Sequence, residues 1–402
     1  MLLLDFPRFT VVPNKVFFAC ALSVFIFGNG CSSEKIEYRA NFLHAASILS
    51  DSEEPEIRSA ASQAREATSA LLGTIDSPEW PSGIDFVVDM DKVGRSAGPV
   101  GRNKSMVESG LFRKHCVQCH GLTGDGMGPA AALLAPYPRD FRRGSFKFKS
   151  TPIGRKPTHS DLVRTIEHGL PGTAMPAFQT LNESEEFAQD VDALSHYVRF
   201  LAIRGELERR VLVALASGES KPNLAKDLLV RVADNWGESE SLTIQIPKWE
   251  PPNTDDRQAA IFRGKELFAS ELTACSKCHG LNADGKGISQ DYDDWTKDWT
   301  IRAGLDPTKK TEWKSMKQYG VLKPVLDPSR NLTLGVLRGG ATREDIYRRL
   351  VTGIEGSPMP AVARKLNDNP GLTDENIFDL VEYVLSVSNH GTTEEAEHER
   401  SH

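Results

Sequence analysis

Apolar positions recur along this chain with a period near that of an α-helix, and alternation of the strand type is nearly absent. Leu162 and Ile166 share one face of a short segment, and Ile346 and Leu350 do the same in a second. Thr158 and Asp161, like Thr342 and Asp345, have the spacing of a capping box at the start of each segment, and Gly169 and Gly353 stand where each would stop. A later helix is predicted through Val191, Leu194, Tyr197 and Val198, and its counterpart through Ile377, Leu380, Val381 and Val384. Phe112 and Phe268 lie on helices expected ahead of these. Residues 36–72 read as one amphipathic helix, and further helices are expected over 207–216 and 224–233. The chain is therefore expected to be all-α.

The pattern occurs twice. Cys116 to Gly128 repeats as Cys275 to Gly287, Arg139-Asp140-Phe141 as Arg330-Asn331-Leu332, and Met175-Pro176-Ala177 as Met359-Pro360-Ala361. Order is kept while the loops between blocks change length, as in a duplicated domain. Pro and Gly clusters at 78–101 and at 247–252 mark boundaries. The expected organisation is a leader over 1–30, an N-terminal helical and linker region over 31–100, a first domain over 101–202, a helical linker over 203–256, a second domain over 257–390 and a charged tail over 391–402, expected to be disordered.

Each copy carries Cys-x-x-Cys-His: Cys116, Cys119 and His120 in the first, Cys275, Cys278 and His279 in the second. Two thiols at this spacing reach the two vinyl groups of one porphyrin, and the adjacent His supplies the proximal iron ligand. A zinc site would draw all four thiolates to one ion, yet the pairs lie far apart, each followed by His-Gly-Leu and Asp-Gly-x-Gly. The expectation is two covalent haem c groups. Met175 and Met359 occupy matched positions and each precedes a proline, which stiffens the backbone; they are the expected distal ligands. His168 is the rival in the first copy, but its repeat partner is Thr352. Met90, Met106, Met127 and Met316 lack repeat partners and read as structural. His115 is expected to face solvent, and His44, His159 and His196 stand in no visible constellation. Arg139 and Arg330 are matched cations suited either to haem propionates or to surface turns.

These motifs, with the Gly-Pro-Ala-Ala run at 128–131, Pro138-Arg139-Asp140-Phe141 and the Gly172 to Phe178 segment, resemble the class I c-type cytochromes of bacteria over about residues 101–202 and 257–390. The resemblance implies two tandem haem-wrapping helical domains in a diheme electron-transfer protein. It also implies that Pro129 sits near the group that accepts the proximal histidine's proton; the second copy has Ile288 there. Two other readings stay open: a diheme peroxidase-like enzyme, and a fixed cytochrome subunit of a membrane respiratory complex.

Six cysteines are present. Cys20 lies in an apolar run over residues 16–27, too short to span a bilayer and suited to an export signal. Gly30-Cys31-Ser32-Ser33 resembles a lipoprotein cleavage site, although Gly28 and Asn29 depart from the usual pattern. An exported protein on the periplasmic side, anchored to the membrane surface by a lipid on Cys31, is one expectation; ordinary cleavage nearby is the other. No thiol would remain for disulfides. The net charge is −7, which argues against nucleic acid and favours redox protein partners, such as a respiratory complex, a dehydrogenase or a terminal oxidase, with a basic docking face. Copy two carries an insertion over 289–328 holding Trp295, Trp299, Trp313 and Tyr319 among lysines. It is expected either to dock a partner or to pack onto its own domain.

Overall fold

The computed structural model describes residues 36–85, 87–102, 106–178, 185–249, 253–288, 291–364 and 371–388. Among them are fourteen α-helices, several 3-10 turns and one two-stranded hairpin, β1 (Gly101–Arg102) against β2 (Glu108–Ser109). The expected leader, Cys31 and the C-terminal tail lie outside the described residues.

The N-terminal region is three helices, α1 (Phe42–Ile48), α2 (Glu54–Leu72) and α3 (Met90–Ser96). The single helix expected over 36–72 is broken at residues 49–53. Pro55 explains the break: it has no N–H to give a preceding turn, and it sits in the first turn of α2, where none is needed.

The first haem-motif region follows as α4 (Leu111–His115), α5 (Val117–His120), α6 (His159–His168) and α7 (Glu185–Ala216). Thr158 and Asp161 form the full capping box expected on α6. The 32-residue α7 runs straight through the expected boundary at residue 202, because Leu207, Val211 and Leu212 continue its buried stripe against α2 and α8 (Leu224–Gly237). The second region comprises α9 (Thr254–Ala269), α10 (Cys275–His279), α13 (Arg343–Thr352) and α14 (Asp374–Val387). α9 crosses α14 at Gly264, where a Cβ would overlap the Asp379 backbone.

Between α10 and α13 the insertion contributes α11 (Asp294–Arg302) and α12 (Lys310–Trp313). Its neck is closed by backbone bonds from Asp293 N–H to Val325 O and from Asp327 N–H to Asp291 O. Trp299, Trp313, Met316 and Tyr319 are buried, but in the hydrophobic core of the N-terminal and first-domain helices, not in that of the second domain. The buried aromatics of the insertion thus pack on the first domain and not on their own. The insertion is a strap from the second half onto the first.

Charge fixes the register of the two halves. Arg139 and Arg143 pair with Asp294, Lys147 with Asp327, Lys149 with Glu355, Arg164 with Asp345, and Arg209 with Asp298 through both carboxylate oxygens at 3.1 Å. In every one of these pairs the cation comes from the first half and the carboxylate from the second. The segregation favours one docking and penalises a slipped one. It also explains a departure from the sequence pattern: Thr342 caps α13 by accepting from Asp345 N–H, but the Asp345 carboxylate turns outward to Arg164.

Trp299 is 1% exposed. Trp299→Ala is expected to cost about 3–5 kcal/mol, the usual range for emptying a buried aromatic site. Denaturant unfolding would measure it; a cost below about 1 kcal/mol would mean that the strap is not part of the first core.

Candidate haem sites

Each Cys-x-x-Cys-His segment is a single helical turn, α5 or α10, held between longer helices. Phe112 on α4 meets Tyr197 on α7 edge-on at 5.2 Å, and Phe268 on α9 meets Tyr383 on α14 at 5.1 Å. The turn is backed by glycine in both copies: a Cβ on Gly128 or Gly287 would run into the carbonyls of α5 or α10. All four motif cysteines are free thiols. Burial pushes the Cys116 thiol up to about 12 and raises that of Cys275.

Both motif histidines are fixed through one ring nitrogen. His120 Nδ1 lies 3.1 Å from the Arg139 carbonyl and His279 Nδ1 lies 2.9 Å from the Arg330 carbonyl. A carbonyl only accepts, so Nδ1 carries the proton and Nε2 presents its lone pair. Burial lowers the His120 pKa to about 4, against the opposing pull of the Arg139 carbonyl, and lowers that of His279 likewise. Both rings are therefore neutral, the form that ligates iron. The group that accepts the histidine Nδ1–H is the carbonyl of a matched arginine in each copy. The matched arginines were visible in the sequence, but only their side chains suggested a use. Phe141 stacks on His120 at 4.6 Å; its repeat partner Leu332 cannot, and Phe268 lies near His279 at 6.3 Å instead.

The methionine loops are built alike. Leu170 N–H donates to Met175 O at 3.1 Å and Ile354 N–H to Met359 O at 3.0 Å. The Met175 amide donates to the Thr173 hydroxyl at 3.1 Å and the Met359 amide to the Ser357 hydroxyl at 3.2 Å. Gly169 and Gly353 end α6 and α13 with positive φ, and a Cβ on either would strike the loop just after the methionine. The helix stops expected from sequence therefore also seat the Met-Pro segment. Met175 packs against the first hydrophobic core and Met359 against the second.

The donor set fits haem c in both copies: two free thiols, an oriented neutral imidazole and a thioether on a stiff loop. Arg330 and Arg338 add a half-buried cationic pair that faces no carboxylate within ion-pair distance among the described residues, and burial lowers both pKa values. Arg139 departs from the propionate expectation, its side chain being 2.8 Å from Asp294.

Other histidines differ from their sequence reading. His115 is half-buried, edge-on to Phe178 at 5.7 Å. His44 is buried, and burial holds its pKa down to about 2. His159, Asp192 and His196 do form a cluster, with His159 Nε2 2.7 Å from Asp192. Its residues come from two helices, so no local pattern reveals it. Lys92 lies 2.5 Å from the Asp192 carboxylate, and His196 Nδ1 accepts the Asp89 N–H at 3.1 Å, leaving a protonated Nε2 toward Asp192; the buried His159 Nδ1 has no hydrogen-bond partner among the described residues. The cluster clasps α3, α6 and α7 together.

Residues 109–198 match the family described as cytochrome c oxidase, cbb3-type, subunit III, and residues 261–388 match cytochrome c. Cytochrome c55X of Stutzerimonas stutzeri is 33% identical over 103 residues, covering 25% of this chain and 72% of that protein. A chain of the Kuenenia stuttgartiensis reducing HAO-like protein complex aligns at 26% identity with a TM-score of 0.45, covering 69% of this chain and 94% of that one. The chain belongs to the c-type cytochromes, with two tandem all-α cytochrome c domains. It binds two haem c groups covalently and functions in electron transfer.

Acid-acetone extraction of the denatured protein should leave two haems per chain on the polypeptide. Cys116→Ser with Cys119→Ser should halve that number. Extractable haem, or one haem in the unmutated protein, would contradict the pairing of motifs with cofactors.

Proposed function

We propose that His120 with Met175, and His279 with Met359, are the axial ligands of the two haems, and that the protein carries single electrons on the periplasmic side of a bacterial membrane. The observation that supports this reading is the pair of identically built methionine loops. Bound haem supplies an iron that cycles between Fe(III) and Fe(II). The chain's part would be to offer each haem one imidazole, from His120 or His279, and one thioether, from Met175 or Met359, and to keep both donors fixed. Nδ1–H bonds to backbone carbonyls keep the imidazoles from rotating and make them better donors. The Thr173 and Ser357 hydroxyls hold the thioether loops in one conformation. A thioether favours Fe(II) and raises the potential, which suits outer-sphere transfer between a respiratory complex or dehydrogenase and an acceptor. With both donors bound, neither haem would offer the free position that a peroxidase needs.

His168 is a weaker ligand candidate, because it closes α6 at its C-terminal turn and its repeat partner is Thr352, which cannot ligate in the same way. In the fixed-subunit reading the buried aromatics of the Trp-rich insertion would not form the interface, because they are folded onto the first domain. No helix among the described residues is long and apolar enough to cross a membrane, and Cys31 is the residue proposed to carry a lipid anchor.

Met175→Ala and Met359→Ala should each remove about half of the near-red Met–iron absorption and lower one reduction potential, by about 59 mV for each tenfold change in the one-electron equilibrium. His168→Ala should leave the band unchanged. A high-spin haem and peroxide turnover in the unmutated protein would replace the carrier reading with an enzymatic one. Separately, Cys31→Ala should move the exported protein from the membrane fraction to the soluble periplasm; a soluble unmutated protein would remove the anchor without touching the haem assignment.

A further inference from the structure

The strap from the second half places one buried carboxylate between the two haem sites. Asp294 opens α11 and is 6% exposed. Its Oδ2 accepts from Arg139 at 2.8 Å and its Oδ1 from Arg143 at 2.6 Å. Arg139 is the residue whose carbonyl accepts the His120 Nδ1–H. The same carboxylate also lies against Gly356, where a Cβ would overlap its oxygens. Gly356 adjoins Ser357, whose hydroxyl holds the Met359 amide. One side chain therefore reaches, through a single residue, the histidine proposed as proximal ligand in the first domain. Through one turn of loop it reaches the methionine proposed as distal ligand in the second.

The mirror-image contact exists but carries no acid. Arg330, whose carbonyl accepts the His279 Nδ1–H, reaches to Gly172 on the Met175 loop, and Arg338 donates to the Gly172 carbonyl at 3.2 Å. The pseudo-symmetric interface thus holds a carboxylate on one side and an arginine pair on the other.

We propose that Asp294 is a positioning and charge-setting residue for both haems at once, holding their two reduction potentials down together. The inference rests on the axial-ligand reading above. Fe(III) haem carries one more positive charge than Fe(II) haem, so a fixed buried carboxylate favours the oxidised state of any iron near it. Replacing it by an isosteric neutral group also leaves Arg139 and Arg143 uncompensated, which acts in the same direction. Because the carboxylate abuts structure belonging to both sites, its removal should be felt at both.

The test is a spectroelectrochemical titration of the full, haem-loaded chain. Asp294→Asn should raise both midpoint potentials, each by the order of a tenfold change in the reduction equilibrium, about 59 mV, with the Met–iron band retained. Asp294→Glu keeps the charge and should stay near the unmutated values. Arg139→Gln leaves the acid less compensated and should shift both potentials the opposite way, which provides a readout if the Asn variant fails to fold. Asp298→Asn, one turn further along α11 and held by Arg209, should give a clearly smaller shift. A shift confined to one haem in Asp294→Asn, or an equal shift in Asp298→Asn, would overturn the proposal. An unmutated protein without the Met–iron band would instead strike the ligand reading.

Discussion

Everything in this molecule is arranged around a hydrogen bond made twice, from the Nδ1–H of the motif histidine to the carbonyl of a matched arginine. It fixes a tautomer, and so decides which nitrogen faces the cofactor. It also ties a one-turn helix, too short to be stable alone, to a loop far along the chain. The crossing helices, the glycines behind the motif and the returning methionine loop pack around that ring in both copies.

The two copies are not equivalent in their surroundings. The first is enclosed by the three N-terminal helices and by the strap from the second half; the second rests on its own smaller core. The halves are joined by pairs whose signs are sorted by domain. Most of these pairs are partly or largely buried, so loss of one partner strands the other. The sorting makes the inter-domain geometry a property of the sequence and not of a flexible connection.

Much of this was legible in the sequence. The repeat, the motif cysteines and histidines, the helix stops at Gly169 and Gly353 and the matched methionines follow from short-range chemistry at fixed spacing, and the local structure is consistent with each. What was illegible has a common physical cause. The Arg139 and Arg330 carbonyls, the His159–Asp192–His196 clasp and the Asp294 bridge depend on which distant segments meet, and no local pattern encodes that. The strap is the clearest case. Its Trp and Lys content is that of a docking surface or a self-packed loop, because the core it fills belongs to helices of the N-terminal region and first domain, remote in sequence. The helix expected over 36–72 failed for a local reason, at Pro55, which the periodicity had concealed.

The central claim is that both irons are held by one histidine and one methionine. Iron-edge X-ray absorption of the oxidised, haem-loaded protein tests it directly. The account predicts an average shell with one sulfur per iron and nitrogen otherwise, as His/Met ligation requires. A shell of nitrogen alone, or a five-coordinate average, would contradict it.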